Sequence, residues 1–511
     1  MLDVRSALRR SAQYNENRIA IISGDRKLTF GEAWGRGLRL ANALLGLGLQ
    51  PGDRVAVLED NCLEASDFFL GSAAANLVRV PLYRRNSRES HKHMMQNTGC
   101  KAVVVSEDYL HEVKDLDKEI DGLRHVIVRG KDYEAWLHKY PDSDPNLKIS
   151  LDDYYIIRHS GGTSGVPKGM SFSHRQWMST ERDWTYMLPP IELGDACVHA
   201  GPISHGSGYL FVPLWLAGGY NILFPKFDAS RLLDLLDEHG GFFFAVPTMI
   251  SDMITAGRKG RSFSKLKAVV VSGAPIRPTT TLLARELFGD VLHQLYGQTE
   301  ATPVAWLTPK EWFAEVPGSE PLRAVGRIMP FAGVEIRNDN NEPVPTGEVG
   351  EVVIKNDGQM EKIWNDPELT KQRLVDGWIL TGDIGMLDKN GYLYLVDRKD
   401  DMIISGGLNI WPAELELVIS SLPGVREVAV VSAPDKRWGE TPVAVVVLNS
   451  GHTLSEEQVI SACSQALGSY KKPSKVVIQH ESLPRTPVGK IQRKQVRAQF
   501  WKDMDSRIGG T

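Results

Sequence analysis

The feature that most constrains the fold is a series of short apolar runs separated by stretches with helical spacing. The runs 102–105 (AVVV), 242–246 (FFFAV) and 268–271 (AVVV) show no alternation between apolar and polar residues. Strands of this kind are buried on both faces, as in parallel sheets that helices cover. Because helical patterns such as 28–48 lie between these runs, the sequence predicts an α/β fold with parallel-type sheets.

A different pattern begins at about residue 320. Two short strands surround a polar turn rich in Asn and Pro, and a second pair is joined by Asn390 and Gly391, which is typical of a β-subdomain. Since 511 residues exceed what one core usually serves, we expect two domains. The predicted N-terminal domain spans 1–399, with its β-subdomain over about 320–399, and a small α+β domain spans 400–511.

Charge and composition exclude several classes of function. The net charge of −4 gives no broad basic surface, which argues against nucleic acid as the main partner. The four cysteines are scattered, which fits a reducing compartment and excludes a disulfide framework. No apolar run has the length of a membrane span, and neither end carries a targeting signal, so we expect a soluble cytoplasmic protein.

Three loops rich in Gly, Ser and Thr each follow a predicted strand: 160–169 (SGGTSGVPKG), 272–275 (SGAP) and 296–300 (YGQTE). In open α/β sheets, ligands bind beyond the carboxyl ends of the strands, so we expect these loops to converge there. The first loop combines glycines, hydroxyls and Lys168, which suits phosphate. It is not a Walker A loop, because the lysine precedes the last glycine, and taken alone it could equally be a mobile surface loop.

Five motifs in one order resemble the adenylate-forming superfamily of acyl- and aryl-CoA synthetases, luciferases and adenylation domains. The resemblance runs from about Leu28 to Lys494, nearly the whole chain. The chain departs from the family loop T-S-G-T-T-G-x-P-K-G at Gly161 and Gly162. The motifs are SGGTSGVPKG, YGQTE, TGD (381–383), DRKDDMIISGGLNIWPAELE from Asp397, and PRTPVGKIQRK.

The resemblance implies that a carboxylate attacks the α-phosphorus of ATP and releases pyrophosphate. Lys490 would place positive charge between the two anions, although a lone lysine is more often a solvated surface residue. Glu300 would hold Mg²⁺, since this cation prefers carboxylate oxygen and bridges phosphates. Thr299 beside it would donate to the α-phosphate.

The same resemblance assigns the nucleotide site. Tyr296 would stack on adenine, and Asp383 would accept both ribose hydroxyls with Arg398 beside it. Taken alone, these would be an ordinary core tyrosine and a surface ion pair. The complete predicted ATP/AMP set is Ser160, Thr163, Ser164, Gly165, Lys168, Gly273, Ala274, Pro275, Tyr296, Gly297, Gln298, Thr299, Asp383, Arg398 and Lys490.

For the acid, the resemblance singles out His205 beside the substrate carboxylate. The chain has other histidines in this region, but their spacing matches no metal signature. Gly206 and Gly208 are predicted to leave space in the acyl pocket, which favours a bulky or extended apolar acid over acetate.

The second step of the family requires a thiol to attack the acyl-adenylate after the small domain swings. The resemblance of the segment from Asp397 to the family's hinge motif implies that Asp400 is the hinge. A cluster of arginines at 84, 85 and 88 could meet the phosphates of coenzyme A, or form a solvated face. The predicted contacts to coenzyme A are Ser405, Gly406, Gly407, Trp438 and Lys226.

The resulting hypothesis is an acid–thiol ligase that uses ATP, Mg²⁺ and coenzyme A, acts on a small-molecule carboxylic acid and is compatible with a homodimer. Two alternatives share the same motifs: an enzyme that loads a separate carrier-protein thiol, and a luciferase-like oxygenase. A nucleotide-sensing regulator would be expected to lose the lysine or the hinge, and this chain keeps both. The coenzyme A hypothesis is preferred because it is the commonest for free-standing chains of this length, an argument by analogy.

Overall fold

The computed structural model describes residues 2–160, 167–406, 408–485 and 491–501, with only the backbone described for Asp400. The chain divides into two compact units, which are described separately here. The large unit comprises Met1–Val334, Ile354–Leu380 and Asn390–Leu393. The small unit comprises Glu335–Val353, Thr381–Lys389 and Tyr394–Thr511.

The helices of the described residues are mostly short. In chain order they are α1 (Val4–Tyr14), α2 (Phe30–Gly46), α3 (Ala65–Ala74), α4 (Arg88–Thr98), α5 (Leu110–Val113), α6 (Leu116–Glu119), α7 (Tyr133–Leu137), α8 (His174–Met187), α9 (Phe211–Ala217), α10 (Ala229–His239), α11 (Pro247–Ala256), α12 (Pro278–Phe288), α13 (Pro309–Trp312), α14 (Pro367–Arg373), α15 (Pro412–Ser420), α16 (Glu456–Leu467) and α17 (Arg493–Ala498).

The strands alternate with these helices through most of the large unit. In chain order they are β1 (Ile19–Ser23), β2 (Arg26–Thr29), β3 (Arg54–Leu58), β4 (Val78–Pro81), β5 (Ala102–Ser106), β6 (His125–Arg129), β7 (Tyr154–His159), β8 (Gly169–Ser173), β9 (Ala196–His199), β10 (Tyr220–Leu223), β11 (Gly241–Ala245), β12 (Leu266–Val271), β13 (Leu292–Tyr296), β14 (Ala305–Leu307), β15 (Gly326–Ile328), β16 (Ala332–Arg337), β17 (Gly350–Asn356), β18 (Lys362–Ile363), β19 (Leu374–Val375), β20 (Trp378–Leu387), β21 (Tyr392–Arg398), β22 (Ile403–Ser405), β23 (Leu408–Ile410), β24 (Val425–Asp435), β25 (Gly439–Leu448) and β26 (Lys475–Gln479).

The large unit is built on two sheets. The first has the order β18-β8-β7-β4-β3-β5-β6, in which β4, β3, β5, β6 and β7 run parallel. In the second, β1, β10, β9, β11, β12 and β13 are neighbours in that order, and all of them run parallel. The apolar runs that predicted buried parallel strands are the centres of β5, β11 and β12, so the predicted α/β class is confirmed.

The glycine-rich loop connects two antiparallel strands. His159 at the end of β7 pairs with Gly169 at the start of β8, and Arg158 pairs with Met170. The loop therefore closes a hairpin, and α8 begins only after β8, at His174. Unlike a Walker loop, it does not lead directly into the first turn of a helix.

The small unit contains a sheet of order β23-β22-β25-β24, with β26 pairing parallel to β25. Strands β24 and β25 are apolar on both faces, because helices cover each side. Val430 and Val446 pack in one cluster with Leu415 of α15, while Val431 and Val445 belong to a cluster on the opposite face. Pro412 opens α15, the position where a missing N–H costs nothing.

The predicted domain boundary at about Asp400 stays a prediction.

Among the described residues, no helix combines the length and apolar character required to cross a bilayer.

Candidate active site

Three loops of the second sheet follow the carboxyl ends of neighbouring parallel strands. Ala245 at the end of β11 pairs with Val271 at the end of β12, and Val271 pairs with Gln294 of β13. Strand β9 runs parallel beside β11, so the loop that follows it also starts at this edge. The predicted convergence of SGAP and YGQTE at the carboxyl ends of parallel strands is therefore observed.

Local geometry explains the glycines of these two loops. Gly273 has a φ of +88°, which L side chains rarely adopt, so the SGAP turn requires glycine. A Cβ on Gly297 would lie 2.6 Å from Oγ1 of Thr302. The ring of Tyr296 is 7% exposed, and Ala274 is half-buried beside the exposed Pro275. These residues lie where an adenine ring is expected.

Glu300 is a buried residue, and the cation near its carboxylate in the described part of the chain lies at a long distance. Its residue exposure is 8%, and Nη2 of Arg373 lies 3.9 Å from Oε1. Thr299 and Gln298 are half-buried beside it, and the amide of Gln298 donates to the carbonyl of Ala301 at 2.8 Å. A carboxylate in this setting retains lone pairs for a cation.

A short segment connects Glu300 to the strand that ends the glycine-rich loop. The amide of Met360 donates to the carbonyl of Glu300 at 2.7 Å. Strand β18 then pairs with β8, and the amide of Trp364 donates to the carbonyl of Gly169 at 2.7 Å. The YGQTE loop and the base of the glycine-rich loop are thus tied together by backbone hydrogen bonds.

At the base of the glycine-rich loop, the amide of Ser160 donates to the carbonyl of Lys168 at 2.9 Å. Both residues are half-buried. Thr163, Ser164 and Gly165 lie outside the described residues, so their predicted contacts to phosphate stay predictions.

His205 follows a strand of the second sheet and contacts Tyr83, which follows a strand of the first sheet. Its ring centroid lies 3.5 Å from that of Tyr83, and the Tyr83 hydroxyl donates to the carbonyl of His159 at 3.4 Å. Nδ1 shares a hydrogen bond with Oγ of Ser204 at 2.7 Å. His205 therefore lies beside the end of β7, immediately before the glycine-rich loop begins.

The imidazole of His205 is held neutral. Burial lowers its pKa well below the ordinary value, and the positive charges of Arg158 and Arg84, with His159, lower it further. Nε2 is buried and has no hydrogen-bond partner among the described residues. In the tautomer in which Nδ1 accepts from the Ser204 hydroxyl, Nε2–H is a free donor; in the other tautomer Nδ1–H donates to Ser204 and Nε2 is an acceptor.

Neighbouring atoms occupy the Cβ positions of two glycines predicted to line the acyl pocket, whose role there stays a prediction. A Cβ on Gly206 would lie 3.0 Å from the ring of Phe244. A Cβ on Gly208 would fall far inside contact distance of the Ile203 carbonyl oxygen. These glycines permit close packing of a tight turn, so they are not evidence for a wide apolar pocket at this point.

In the small unit, the predicted ribose pair is found together. Nε of Arg398 lies 2.7 Å from Oδ1 of Asp383, whose side chain is 5% exposed. The amide of Asp383 donates to Oγ1 of Thr381 at 3.0 Å, and Thr381 in turn donates to the carbonyl of Val352 at 2.6 Å. The TGD segment is therefore fixed by hydrogen bonds to its own backbone and to β17.

Three predicted contacts for coenzyme A also lie together in the small unit. Ser405 pairs with Gly439 next to Trp438, and the amide of Gly406 donates to the Trp438 carbonyl at 2.9 Å. A Cβ on Gly406 would lie 2.5 Å from the Trp438 ring. Trp438 itself is 48% exposed. Gly407 lies outside the described residues.

The remaining predicted residues have less structural context. Lys226 is exposed after β10, next to Pro225, whose carbonyl accepts from Arg84 at 3.3 Å. Arg84 pairs with Asp60 and the arginine at 88 with a glutamate at 119, so both have local partners. Lys490 lies outside the described residues, and for Asp400 only the backbone is described, in a 3-10 turn.

Sequence reasoning missed Tyr83, Arg158 and Glu181. Arg158 had a signal: it is a charged residue inside the apolar strand YYIIRH, directly before the glycine-rich loop. Tyr83 and Glu181 had none, because only the packing of distant segments brings them to His205 and Arg158. Within the described ranges, no group of three or more His, Cys, Asp and Glu side chains is arranged to hold a metal ion. A cation at Glu300 would therefore take further ligands from phosphates or water.

The class of protein follows from two family models. The model for AMP-binding enzymes matches residues 8–364, and the model for the AMP-binding enzyme C-terminal domain matches residues 414–490. The chain belongs to the family of AMP-binding, adenylate-forming enzymes, and the resemblance found in its motifs is confirmed.

Individual relatives narrow the class to ligases. The fatty acid–[acyl-carrier-protein] ligase ScoC of Streptomyces coeruleorubidus is 30% identical over 508 residues, covering 97% of this chain and 96% of that protein. The long-chain-fatty-acid–CoA ligase FadD13 of Mycobacterium tuberculosis is 32% identical over 490 residues, 94% of each chain. The ATP-bound structure of MatB from Rhodopseudomonas palustris has a TM-score of 0.89 and 26% identity, covering 99% of this chain and 100% of that one.

Proposed function

We propose that the protein is an ATP-dependent acid–thiol ligase that converts a carboxylic acid to an acyl-adenylate and then to its coenzyme A thioester. The observation that supports the proposal is that both His205, through Tyr83, and the YGQTE loop, through residues 360–364, are connected to the base of the glycine-rich loop. Adenylate-forming enzymes use ATP, and an ATP-bound relative shares the fold.

In the first step, a carboxylate oxygen of the acid bonds to the α-phosphorus of ATP, and the bond to pyrophosphate breaks. Negative charge accumulates on the phosphorus oxygens, so preorganised donors and cations lower the barrier most. We assign Lys490 and Thr299 to those oxygens and Lys168 with the glycine-rich loop to the leaving phosphates. Glu300 would hold Mg²⁺, which supplies further charge neutralisation when bound.

His205 is assigned to the acid. Because its imidazole is neutral, Nε2–H can donate a hydrogen bond to the carboxylate without taking its proton. This orients the nucleophilic oxygen and leaves its charge available for attack. Asp383 and Arg398 are assigned to the ribose hydroxyls, and Tyr296 with the SGAP turn to adenine.

In the second step, a thiol sulfur attacks the acyl carbon, and the bond from that carbon to the adenylate oxygen breaks, releasing AMP. We assign the turn at Ser405 and Gly406, with Gly407, to the pantetheine arm and Trp438 and Lys226 to the rest of coenzyme A. The close packing of Gly406 on Trp438 supports this assignment, because it leaves a narrow surface without a side chain beside an exposed ring. Asp400 is the proposed hinge.

A carrier-protein thiol is the second candidate acceptor, since one relative is named as a carrier-protein ligase. The chemistry of both steps would be unchanged, and only the source of the thiol would differ.

The test is ATP–pyrophosphate exchange with a panel of fatty, aromatic and dicarboxylic acids, followed by thioester analysis with coenzyme A or with a phosphopantetheinylated carrier. We expect acid-dependent exchange, and a thioester only with coenzyme A. Lys490→Ala should abolish exchange while the transfer of a supplied acyl-adenylate to coenzyme A persists. Absence of exchange with every acid would refute the function, whereas light emission or oxygen uptake would favour the oxygenase alternative.

A further inference from the structure

The large unit contains three ionisable side chains in its interior that the proposed mechanism does not use. Arg79 of β4 is 2% exposed, Arg158 of β7 is 8% exposed and Glu181 of α8 is 1% exposed. They are close enough that each arginine acts electrostatically on Glu181. We call these three residues the buried charge cluster.

Aromatic rings surround both arginines. The guanidinium carbon of Arg79 lies 4.0 Å from the ring centroid of Phe69 and 4.7 Å from that of Tyr155. The guanidinium carbon of Arg158 lies 4.5 Å from the ring centroid of Tyr209. Ring faces attract cations, but they are poor acceptors for the directional N–H hydrogen bonds of a guanidinium.

Polar atoms of the buried charge cluster have no hydrogen-bond partners among the described residues. These atoms are Nη1 of Arg158 and Nε of Arg79. The indole of Trp177 lies close enough to Glu181 to lower its pKa by hydrogen bonding, so only the arginine atoms are counted as unpartnered. Neither arginine forms an ion pair within the described part of the chain. Burying charged groups without hydrogen bonds is costly, and such a cost is most readily explained when a ligand supplies the missing partner.

The sign of the charge selects the ligand. Arginine side chains stay protonated in proteins. With two arginines, the buried charge cluster is positive whether Glu181 is ionised or neutral. Burial raises the pKa of Glu181 well above its ordinary value, although both arginines oppose this, so the net charge is between one and two. An oxyanion is the group that neutralises it.

Arg158 lies on the acid side of the candidate active site. It is two residues before Ser160, and its guanidinium covers Tyr209, which belongs to the turn Gly206–Leu210 directly after His205. A cavity of about 10 Å³, enough for one water-sized group, is lined by Arg79, by Glu59 and by Ser204, the residue bonded to His205. Arg158 does not line this cavity, so an acid that reaches its guanidinium must displace neighbouring side chains.

The carboxylate that is being activated is a poor partner for this charge. It loses its negative charge when it becomes an acyl-adenylate, which would leave the guanidinium of Arg158 buried and unpaired at the intermediate. A second carboxylate on the same acid keeps its charge through both steps. It would also offset the cost of the buried arginines in every bound state.

Resting on the proposed ligase function, we propose that the preferred substrate is a carboxylic acid with a second acidic group, which Arg158 binds inside the buried charge cluster. Arg158 is thus a specificity-determining residue, and Arg79 adds to the positive potential around it. The filled space behind Gly206 and Gly208 agrees with this, because it argues against a wide apolar channel there.

The first test uses the unmodified chain in pyrophosphate exchange with matched pairs of acids: decanoate against decanedioate, and benzoate against terephthalate, within a wider panel of mono- and dicarboxylates. We expect kcat/KM for the best dicarboxylate to exceed that of its matched monocarboxylate by about tenfold or more, as a buried charge-assisted contact allows. Equal or greater kcat/KM for the monocarboxylate in every pair would overturn the proposal. Exchange with no acid at all would instead refute the ligase function on which it rests.

The second test replaces the arginine. Arg158→Gln should reduce the dicarboxylate-to-monocarboxylate ratio of kcat/KM by about tenfold, chiefly through KM, and Arg158→Lys should fall between it and the unmodified chain. The control is Arg5→Gln, which removes another buried arginine while Asp144 keeps Arg9 at 3.1 Å. A ratio unchanged in Arg158→Gln would exclude Arg158 as the determinant, and an unfolded variant leaves the first test to decide.

Discussion

At the scale of single residues, His205 and Glu300 have different surroundings in the candidate site. His205 is held neutral by burial and by the cations beside it, so it can orient an acid without competing for its proton. Glu300 is buried too, but Arg373 is the only described cation within 4 Å of its carboxylate, at 3.9 Å. The two residues lie at different loops of the same edge and suit different substrates, the acid and the metal-bound phosphates.

Glu300→Gln should reduce the Mg²⁺-dependent rate of pyrophosphate exchange strongly, because an amide oxygen is a weaker ligand for a hard cation than a carboxylate. AMP affinity, measured by calorimetry, should change little. The matched control is Glu361→Gln, which removes a nearby carboxylate that accepts from the Tyr154 hydroxyl at 2.8 Å. Loss of AMP affinity with unchanged Mg²⁺ dependence would show that Glu300 contacts the nucleotide and not the metal.

At the scale of elements, the turn that carries His205 is defined by its packing. Oγ of Ser207 and Nδ1 of His199 share a hydrogen bond at 2.8 Å, and Nε2 of His199 is 2.8 Å from Oδ1 of Asn221. All three residues are buried. This network fixes the 3-10 turn Gly206–Leu210 on strands β9 and β10 and so sets the position of His205.

Gly208→Ala should destabilise the protein by about 1–3 kcal/mol and lower adenylation, because the new methyl group would displace the Ile203 carbonyl and the turn with it. Gly201→Ala is the matched control in the same loop, since its Cβ would meet only Ser207 Cβ at 3.7 Å. Urea unfolding and the KM for the acid measure the two effects. Equal behaviour of both variants would contradict the close packing at Gly208.

At the scale of the whole molecule, one arginine forms ion pairs with carboxylates on both sides of Asp400. Nη1 of Arg493 lies 2.9 Å from Asp397 and 2.9 Å from Asp401, and its other nitrogens bind Glu416. The residues on both sides of the proposed hinge are therefore anchored within the small unit. A rotation at Asp400 that separates Asp397 from Asp401 would break at least one of these ion pairs.

Asp400→Pro should separate the two half-reactions. Proline fixes φ near −65°, so one residue could no longer supply two conformations. Pyrophosphate exchange should persist while thioester formation falls, and Asp400→Ala, which keeps backbone freedom, should reduce neither by much. A proportional fall of both rates in the proline variant would remove Asp400 as the hinge.

Stability should fall on acidification below about pH 6.5. Burial lowers the pKa of three histidines from 6.5 to about 4, so between these values the unfolded chain binds protons that the native chain does not. Burial raises the pKa of five carboxyl groups, which act oppositely: Asp67, Glu181, Asp183, Asp252 and Asp397. Burial also lowers the pKa of His91, His159, His205 and His239, so seven histidines outnumber the five carboxyl groups and the net effect is destabilisation. The three histidines with a pKa of about 4 are His174, His199 and His293.

Urea unfolding between pH 7.5 and pH 5 measures this slope. His293→Phe keeps the ring that stacks on Trp306 and removes one titrating group. Its slope should be shallower by up to about 1.4 kcal/mol per pH unit. Stability that is constant or rises toward pH 5 in the unmodified chain would show that the buried histidines do not control it.

Local patterns were sufficient for the elements. The apolar runs predicted β5, β11 and β12, whereas Asp383 and Arg398, taken from two short motifs, form an ion pair and their ribose roles stay predictions. Local patterns failed where the answer depended on neighbours distant in sequence. Gly206 and Gly208 indicated space by their size, but Phe244 and Ile203 occupy it.

The sequence by itself determined the α/β class, the family and the order of the motif loops, because hydrophobic periodicity and motif spacing are local properties of the chain. Only the tertiary structure decided what surrounds each functional side chain. It placed Tyr83 against His205 and left Nη1 of Arg158 buried without a hydrogen-bond partner among the described residues. Burial and electrostatics depend on all atoms within a few ångströms, and β4, β7 and α8 supply those atoms from segments far apart in sequence.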